Sequence, residues 1–196
     1  MRPVGKNRYA VAEVPAATPD MSDFWVFGYG SLMWQPGFAH LERVPARLVG
    51  AHRALCVYSW VHRGTRERPG LVLGLDQGGS CRGIAYRVAA EHRRSVIDYL
   101  RAREMVTNVY VETWREIRLE GPEPLRQRAL TFMVDRAHEQ YAGKLSHDAL
   151  LSLVRDGVGR SGVNADYITA TAAHIRELGF RDPVLERLAE ALKPPA

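Results

Sequence analysis

Residues 25–38 read WVFGYGSLMWQPGF, an apolar run that ends in two glycines one position apart, Gly28 and Gly30. Glycine in or just beyond a strand weakens it, so it marks either special backbone geometry or a close approach of something to the chain. GYGSLM matches only the first half of G-x-G-x-x-G, because Met33 stands where the third glycine belongs, and it lacks the G-K-[ST] ending of a phosphate loop. That argues against a dinucleotide or nucleoside-triphosphate site. Two readings stay open for the stretch itself: an ordinary tight turn, or successive backbone N–H groups turned toward one point as a small anion nest.

Outward from this stretch, short apolar or alternating runs recur between glycine-rich breaks: 24–29, 46–58, 71–75, 83–88, 109–119 and 129–134. They predict strands. Thr113 to Leu119 alternates, as a strand with one wet face does, while DQGGS at 76–80 and GPEP at 121–124 predict turns. Helical spacing appears within 91–106, where Val96, Ile97, Leu100 and Glu104 share a face. It appears again after Ser146, through Leu150, Leu151 and Val154, and from Asn164 to Gly179, through Ile168, Ala172, Ile175 and Leu178. Asp182-Pro183 is an N-cap followed by proline in the first turn. Strands, one embedded helix, more strands and then helices make an α+β order rather than a repeating βαβ one.

The chain has 196 residues, 46% of them hydrophobic, which suffices for one substantial core. No stretch reaches the roughly 18–20 apolar residues of a membrane span, and the N-terminus has no continuous apolar run to serve as a secretory signal. The organisation expected is an extension over 1–22 and one domain over 23–196. Cys56 and Cys81 are too few for a disulfide scaffold and lack C-x-x-C spacing, so the expected compartment is cytoplasmic. The net charge is +5, yet the arginines are spread end to end among 22 acidic residues, and only Lys6, Lys144 and Lys193 are lysine. Without a basic cluster, an anionic small molecule is a better partner than nucleic acid. Oligomeric state is not readable from the sequence.

Among residues able to carry chemistry, Glu104 stands out because it lies on the apolar stripe of its helix. A carboxylate facing a core is costly unless paired or protonated, and desolvation raises its pKa toward the range useful to a general acid/base. The alternative is a buried pair with Arg53, Arg101 or Arg103. Cys56 and Cys81 read as small core residues, and the seven histidines show no metal-binding spacing. SGVN at 161–164 offers either a ligand contact through Ser161 or plain capping by Ser161 or Asn164.

Taken together, WVFGYGSLMWQPGF, Arg53, HRGTRERPGLVLGL at 62–75, CRGIAYRV at 81–88, YLRAREMVTNVY at 99–110 and GRSGVNADYI at 159–168 resemble the ChaC-type γ-glutamylcyclotransferases. The likeness runs in order over about residues 24–180. Asn108 stands where a glycine is usual, and Asp166 where a glutamate is. The resemblance implies a strand barrel or curved mixed sheet with flanking helices. It implies a substrate loop at Tyr29, Gly30, Ser31 and Leu32, extending to Met33 and Trp34, with Ser161 and Tyr167 lining the same cavity and Glu104 as the catalytic glutamate. The implied activity is a carbon–nitrogen lyase reaction that releases 5-oxoproline and Cys-Gly from glutathione, or acts on other γ-glutamyl amines or amino acids. The substrate's own α-amine is the nucleophile, so the reaction calls for no metal, cofactor or covalent intermediate. A non-catalytic binding module of the same fold would not need the acidic residue that this chain keeps at position 104.

Overall fold

The computed structural model describes residues 22–193, so the N-terminal extension expected over 1–22 lies outside the described residues except for Ser22. The apolar run after it forms β1 (Phe24–Gly28), every residue of which is buried. β1 pairs antiparallel with β3 (Gly70–Val88) and parallel with β5 (Arg126–Val134). β2 (Glu42–Ser59) joins β3 to β4 (Tyr110–Leu119), and β4 pairs with β5, all antiparallel. The order β1-β3-β2-β4-β5 closes into a barrel, the strand barrel with flanking helices implied by the sequence. The helices are α1 (Arg93–Glu104), α2 (His147–Asp156), α3 (Asn164–Glu177) and α4 (Pro183–Ala191), with a small hairpin, β6 (Val158–Gly159) and β7 (Gly162–Val163), before α3.

β1 is buried on both faces because two cores meet on it. Trp25 and Phe27 belong to the larger core, which extends to Ile168, Ile175, Leu185 and Leu188 of α3 and α4. Phe24 and Val26 pack with Val96 and Leu100 of α1 and with Leu130 and Phe132 of β5. Full burial of an aliphatic side chain contributes about 1.5–3 kcal/mol, so Val96 and Leu100 fix which face of α1 turns inward. The caps expected from sequence form at two helices: Ser146 accepts from Ala149 N, and Asp182 accepts from Leu185 N.

Two expectations are corrected. The runs 71–75 and 83–88 are one 19-residue strand, and DQGGS lies inside it rather than forming a turn. Register passes from Val49 opposite Ser80 to Ala51 opposite Gln77, so Gly78 and Gly79, with φ of 93° and 69°, face Gly50 alone. That is a β-bulge, which uses the same left-handed glycines as a turn while the strand continues. Capping of α3 is also different: Val163 occupies the cap position without a side-chain bond. Asn164, fully buried, instead accepts from Leu71 N at 2.7 Å and donates Nδ2 to Leu71 O at 2.8 Å, tying α3 to β3. Of the two readings open for the glycines, close packing of the chain on itself applies at Gly28. A Cβ there would meet Leu32 Cβ at 2.9 Å, so this glycine lets the next turn fold back on β1. Asn108, at the position where the resemblance implied a glycine, has φ of 57°, a left-handed conformation that asparagine tolerates better than most residues.

Candidate active site

β1 ends in a 3-10 turn, Ser31–Met33, whose first hydrogen bond runs from Met33 N to Gly30 O at 2.9 Å. The N–H groups of Ser31 and Leu32 precede that bond, so the turn's own ladder leaves them without a partner. The turn is held from three sides. Arg53 Nε donates to Tyr29 O at 2.5 Å, Tyr86 Oη donates to Leu32 O and Met33 O, and Leu32 and Met33 are anchored in the two separate cores. Arg53, 7% exposed, also donates to Arg82 O and lies 3.5 Å from Asp182, so it is not the partner of Glu104. Arg101 pairs with Glu112 instead.

The C-terminus of α1 comes alongside this turn. Arg103 bridges them: Nη2 donates to Ser31 Oγ at 2.8 Å, Nη1 to Gln35 O at 2.7 Å and to Tyr99 Oη at 3.0 Å, and Nε lies 3.2 Å from Glu104 Oε1. Glu104 keeps 18% of its side chain exposed, and that surface faces a cavity of about 610 Å³. Burial pushes its carboxyl above the usual glutamate range, with the Arg103 guanidinium opposing the shift. Glu104 is thus both paired with an arginine and a desolvated acid at the edge of a cavity.

Tyr29, Gly30, Ser31, Leu32 and Trp34 line the same cavity, as do Ser161 and Tyr167. Met33 does not. It is fully buried, its Sδ accepts from Arg53, and the tightness of the 3-10 turn points it away from its neighbours into the core. Gly30 has φ of −127°, and a Cβ there would meet only Leu73 Cδ1 at 3.8 Å, so open space lies in front of it. Ser161 is not a cap: its Oγ is 3.0 Å from His62 Nδ1.

Sequence reasoning missed other lining residues. Tyr110 Oη donates to Leu73 O at 2.7 Å, and Leu73 N donates to Tyr167 Oη at 3.3 Å, so two phenols are fixed by one strand residue. Burial raises the pKa of Tyr29, Tyr110 and Tyr167, and Glu104 adds to each shift, which places all three near that carboxylate as neutral hydroxyls. Trp34 packs tilted against His174 of α3, ring centroids 4.7 Å apart, and Arg63 also lines the wall. Tyr110 opens a strand and Arg63 lies in an irregular loop, so neither carries a periodic signal. Arg103 was visible only as one of three arginines able to meet Glu104.

Burial pushes the Cys56 thiol up to about 12, and Cys81 is raised as well, so both are protonated, buried thiols. Among the described residues, no group of three or more His, Cys, Asp or Glu side chains is placed to hold a metal ion, and no helix is long and apolar enough to cross a membrane.

Residues 24–194 match the ChaC-like protein family. The chain is 34% identical over 184 residues to the glutathione-specific gamma-glutamylcyclotransferase of Escherichia coli (strain K12), covering 94% of this chain and 79% of that one. It is 29% identical over 183 residues to glutathione-specific gamma-glutamylcyclotransferase 1 of Homo sapiens, covering 90% and 81%. The crystal structure of a selenomethionine-labelled yeast gamma-glutamyl cyclotransferase specific to glutathione shares the fold, with a TM-score of 0.78 at 22% identity over 87% of this chain and 96% of that one.

Proposed function

The chain belongs to the ChaC-like protein family, and on that premise we propose that it is a γ-glutamylcyclotransferase that cleaves glutathione to 5-oxoproline and Cys-Gly, with residues 23–196 acting as one catalytic domain. The relatives named glutathione-specific gamma-glutamylcyclotransferase support the substrate. The observation that carries the site assignment is the desolvated Glu104 carboxyl on the same cavity as the Tyr29–Leu32 turn, with Arg103 joined to both.

The α-carboxylate of the γ-glutamyl group sits against the N–H groups of Ser31 and Leu32, beside Gly30. This folds the chain so that the α-amine faces its own γ-carbonyl. Because nucleophile and electrophile belong to one molecule, holding this folded form supplies much of the rate. Glu104, ionised, takes a proton from the α-ammonium; the freed amine attacks the γ-carbonyl and closes the five-membered lactam. The attacking nitrogen sheds a second proton as the lactam forms, and the same carboxyl passes both protons in turn to the cysteine nitrogen, which departs as an ammonium, so the C–N bond breaks without net proton change at the enzyme. Backbone N–H groups of the turn, or the Ser31 hydroxyl held by Arg103, stabilise the developing oxyanion. Arg103 keeps Glu104 in register with the turn.

The test is incubation with glutathione, without added metal, and detection of 5-oxoproline and Cys-Gly in equal amounts. Faster turnover of γ-glutamyl-alanine than of glutathione would replace this reading with a cyclotransferase for other γ-glutamyl amines or amino acids. No lactam from either substrate would refute it.

A further inference from the structure

The two arginines of the cavity wall differ in what they already hold. Arg103 commits Nε, Nη1 and Nη2 to protein partners. Arg63 commits only Nη1, to Ser161 O at 2.6 Å and Val163 O at 3.3 Å. Its Nε and Nη2 have no hydrogen-bond partner, and no carboxylate pairs with it, among the described residues. The side chain is nonetheless held in place. It is half-buried, its guanidinium carbon lies 5.2 Å from the centroid of the Tyr167 ring, and its own backbone N donates to Ser59 Oγ.

The Nε/Nη2 edge is the one that grips a carboxylate with two parallel hydrogen bonds. This protein uses it so elsewhere: Arg82, Arg101 and Arg181 hold Glu120, Glu112 and Glu186 through those two nitrogens. Arg63 presents the same edge, oriented by two carbonyls and a ring, on the wall of a cavity.

The position of Arg63 relative to Glu104 limits which carboxylate it can take. Arg103 is the arginine that pairs with Glu104, whereas Arg63 is held by the Ser161 and Val163 carbonyls and against the Tyr167 ring, with no ion pair to Glu104 among the described residues. In a γ-glutamyl amino acid the second carboxylate is two bonds from the scissile nitrogen, beside Glu104 and repelled by it. In a γ-glutamyl dipeptide the terminal carboxylate is one residue, about 3.5 Å, further out. Asp166 also lines the cavity, but it is exposed, where water screens its repulsion of a substrate anion.

We infer that Arg63 binds the C-terminal carboxylate of the leaving group through Nε and Nη2, and so selects γ-glutamyl dipeptide substrates over γ-glutamyl amino acids. The inference rests on the cyclotransferase reading above and names the residue that sets its substrate length. The test compares glutathione with glutathione whose glycine carboxylate is an amide, on the wild-type protein and on Arg63→Met. Amidation should lower wild-type kcat/KM about 10- to 100-fold, mainly through KM, as loss of a charge-assisted bidentate contact does. Arg63→Met should lose a similar factor on glutathione and become indifferent to amidation. Equal wild-type turnover of acid and amide overturns the assignment, as does an Arg63→Met protein that still discriminates. If that variant folds poorly, Arg63→Lys takes its place: it keeps the charge but not the paired Nε/Nη2 edge, and should lose most of the discrimination against the amide, whereas unchanged discrimination overturns the assignment. Absence of 5-oxoproline from glutathione would overturn the cyclotransferase reading and this assignment together, which is distinct from turnover without discrimination.

Discussion

Replacing Glu104 with glutamine should lower activity while leaving stability at neutral pH unchanged or higher. The side chain is 18% exposed, and burial holds its pKa above the ordinary 4.5 despite Arg103 at 3.2 Å. The folded protein therefore binds this proton more readily than the unfolded chain. For such a group the favourable contribution is fully present below the unfolded pKa and is lost as pH rises through the folded one. At neutral pH the ionised carboxylate is a net burden on the fold, and glutamine removes it while keeping shape and an acceptor for Arg103. Loss of a positioned general acid/base costs on the order of 10²–10⁴ in rate, about 2.7–5.5 kcal/mol of transition-state stabilisation. The assays are 5-oxoproline release from glutathione and thermal melts of both proteins from pH 4 to 8. Expected are a loss of at least a hundredfold in kcat and a melting temperature at pH 7 no lower than wild type. Any stability gain should shrink as pH falls toward 4. The wild-type kcat/KM should rise with pH on its acid limb, with a midpoint above 4.5. Wild-type turnover by folded Glu104→Gln refutes the catalytic role. A variant destabilised at pH 7 and not at pH 4 refutes the account of the raised pKa.

Gly30→Ala should melt like wild type, because its Cβ would meet only Leu73 Cδ1 at 3.8 Å, yet raise KM for glutathione by occupying the space before the turn; unchanged KM and kcat would remove Gly30 from the site. Ser31→Ala loses the bond from Arg103 Nη2 and should cost about 0.5–1.5 kcal/mol in kcat/KM or stability, read from kinetics and melts side by side. Cys56→Ala and Cys81→Ala should keep turnover, and both thiols should resist alkylation in the folded protein at pH 7; inactivation of either well-folded variant would contradict attack by the substrate's own amine. Arg53→Met should destabilise by about 3–5 kcal/mol in urea melts, since it leaves the Asp182 carboxylate, 14% exposed, without its partner and frees the Tyr29 carbonyl.

The sequence alone determined the features set by local chemistry. Ser146 and Asp182 cap their helices because a side-chain oxygen needs only an N–H three residues on. Glu104 could be placed on an apolar stripe because helical periodicity is a property of neighbouring residues. Strand content and the α+β order followed from alternation and breaks in the same way. The tertiary structure decided whatever depends on which distant segments meet. DQGGS could be turn or bulge, since both need left-handed glycine; only the opposing strand, shifting register at Gly50, made it a bulge. Met33 was grouped with its neighbours as a substrate residue, but a 3-10 turn packed between two cores sends Leu32 to one and Met33 to the other. Asn164 looks like a cap until Leu71, far away in sequence, offers both a donor and an acceptor to its amide. Arg53, Arg103 and Arg63 are chemically alike in the sequence. One locks the turn, one joins the turn to the carboxylate, and one keeps an edge without a partner among the described residues, because barrel closure gives each a different set of carbonyls and carboxylates to meet.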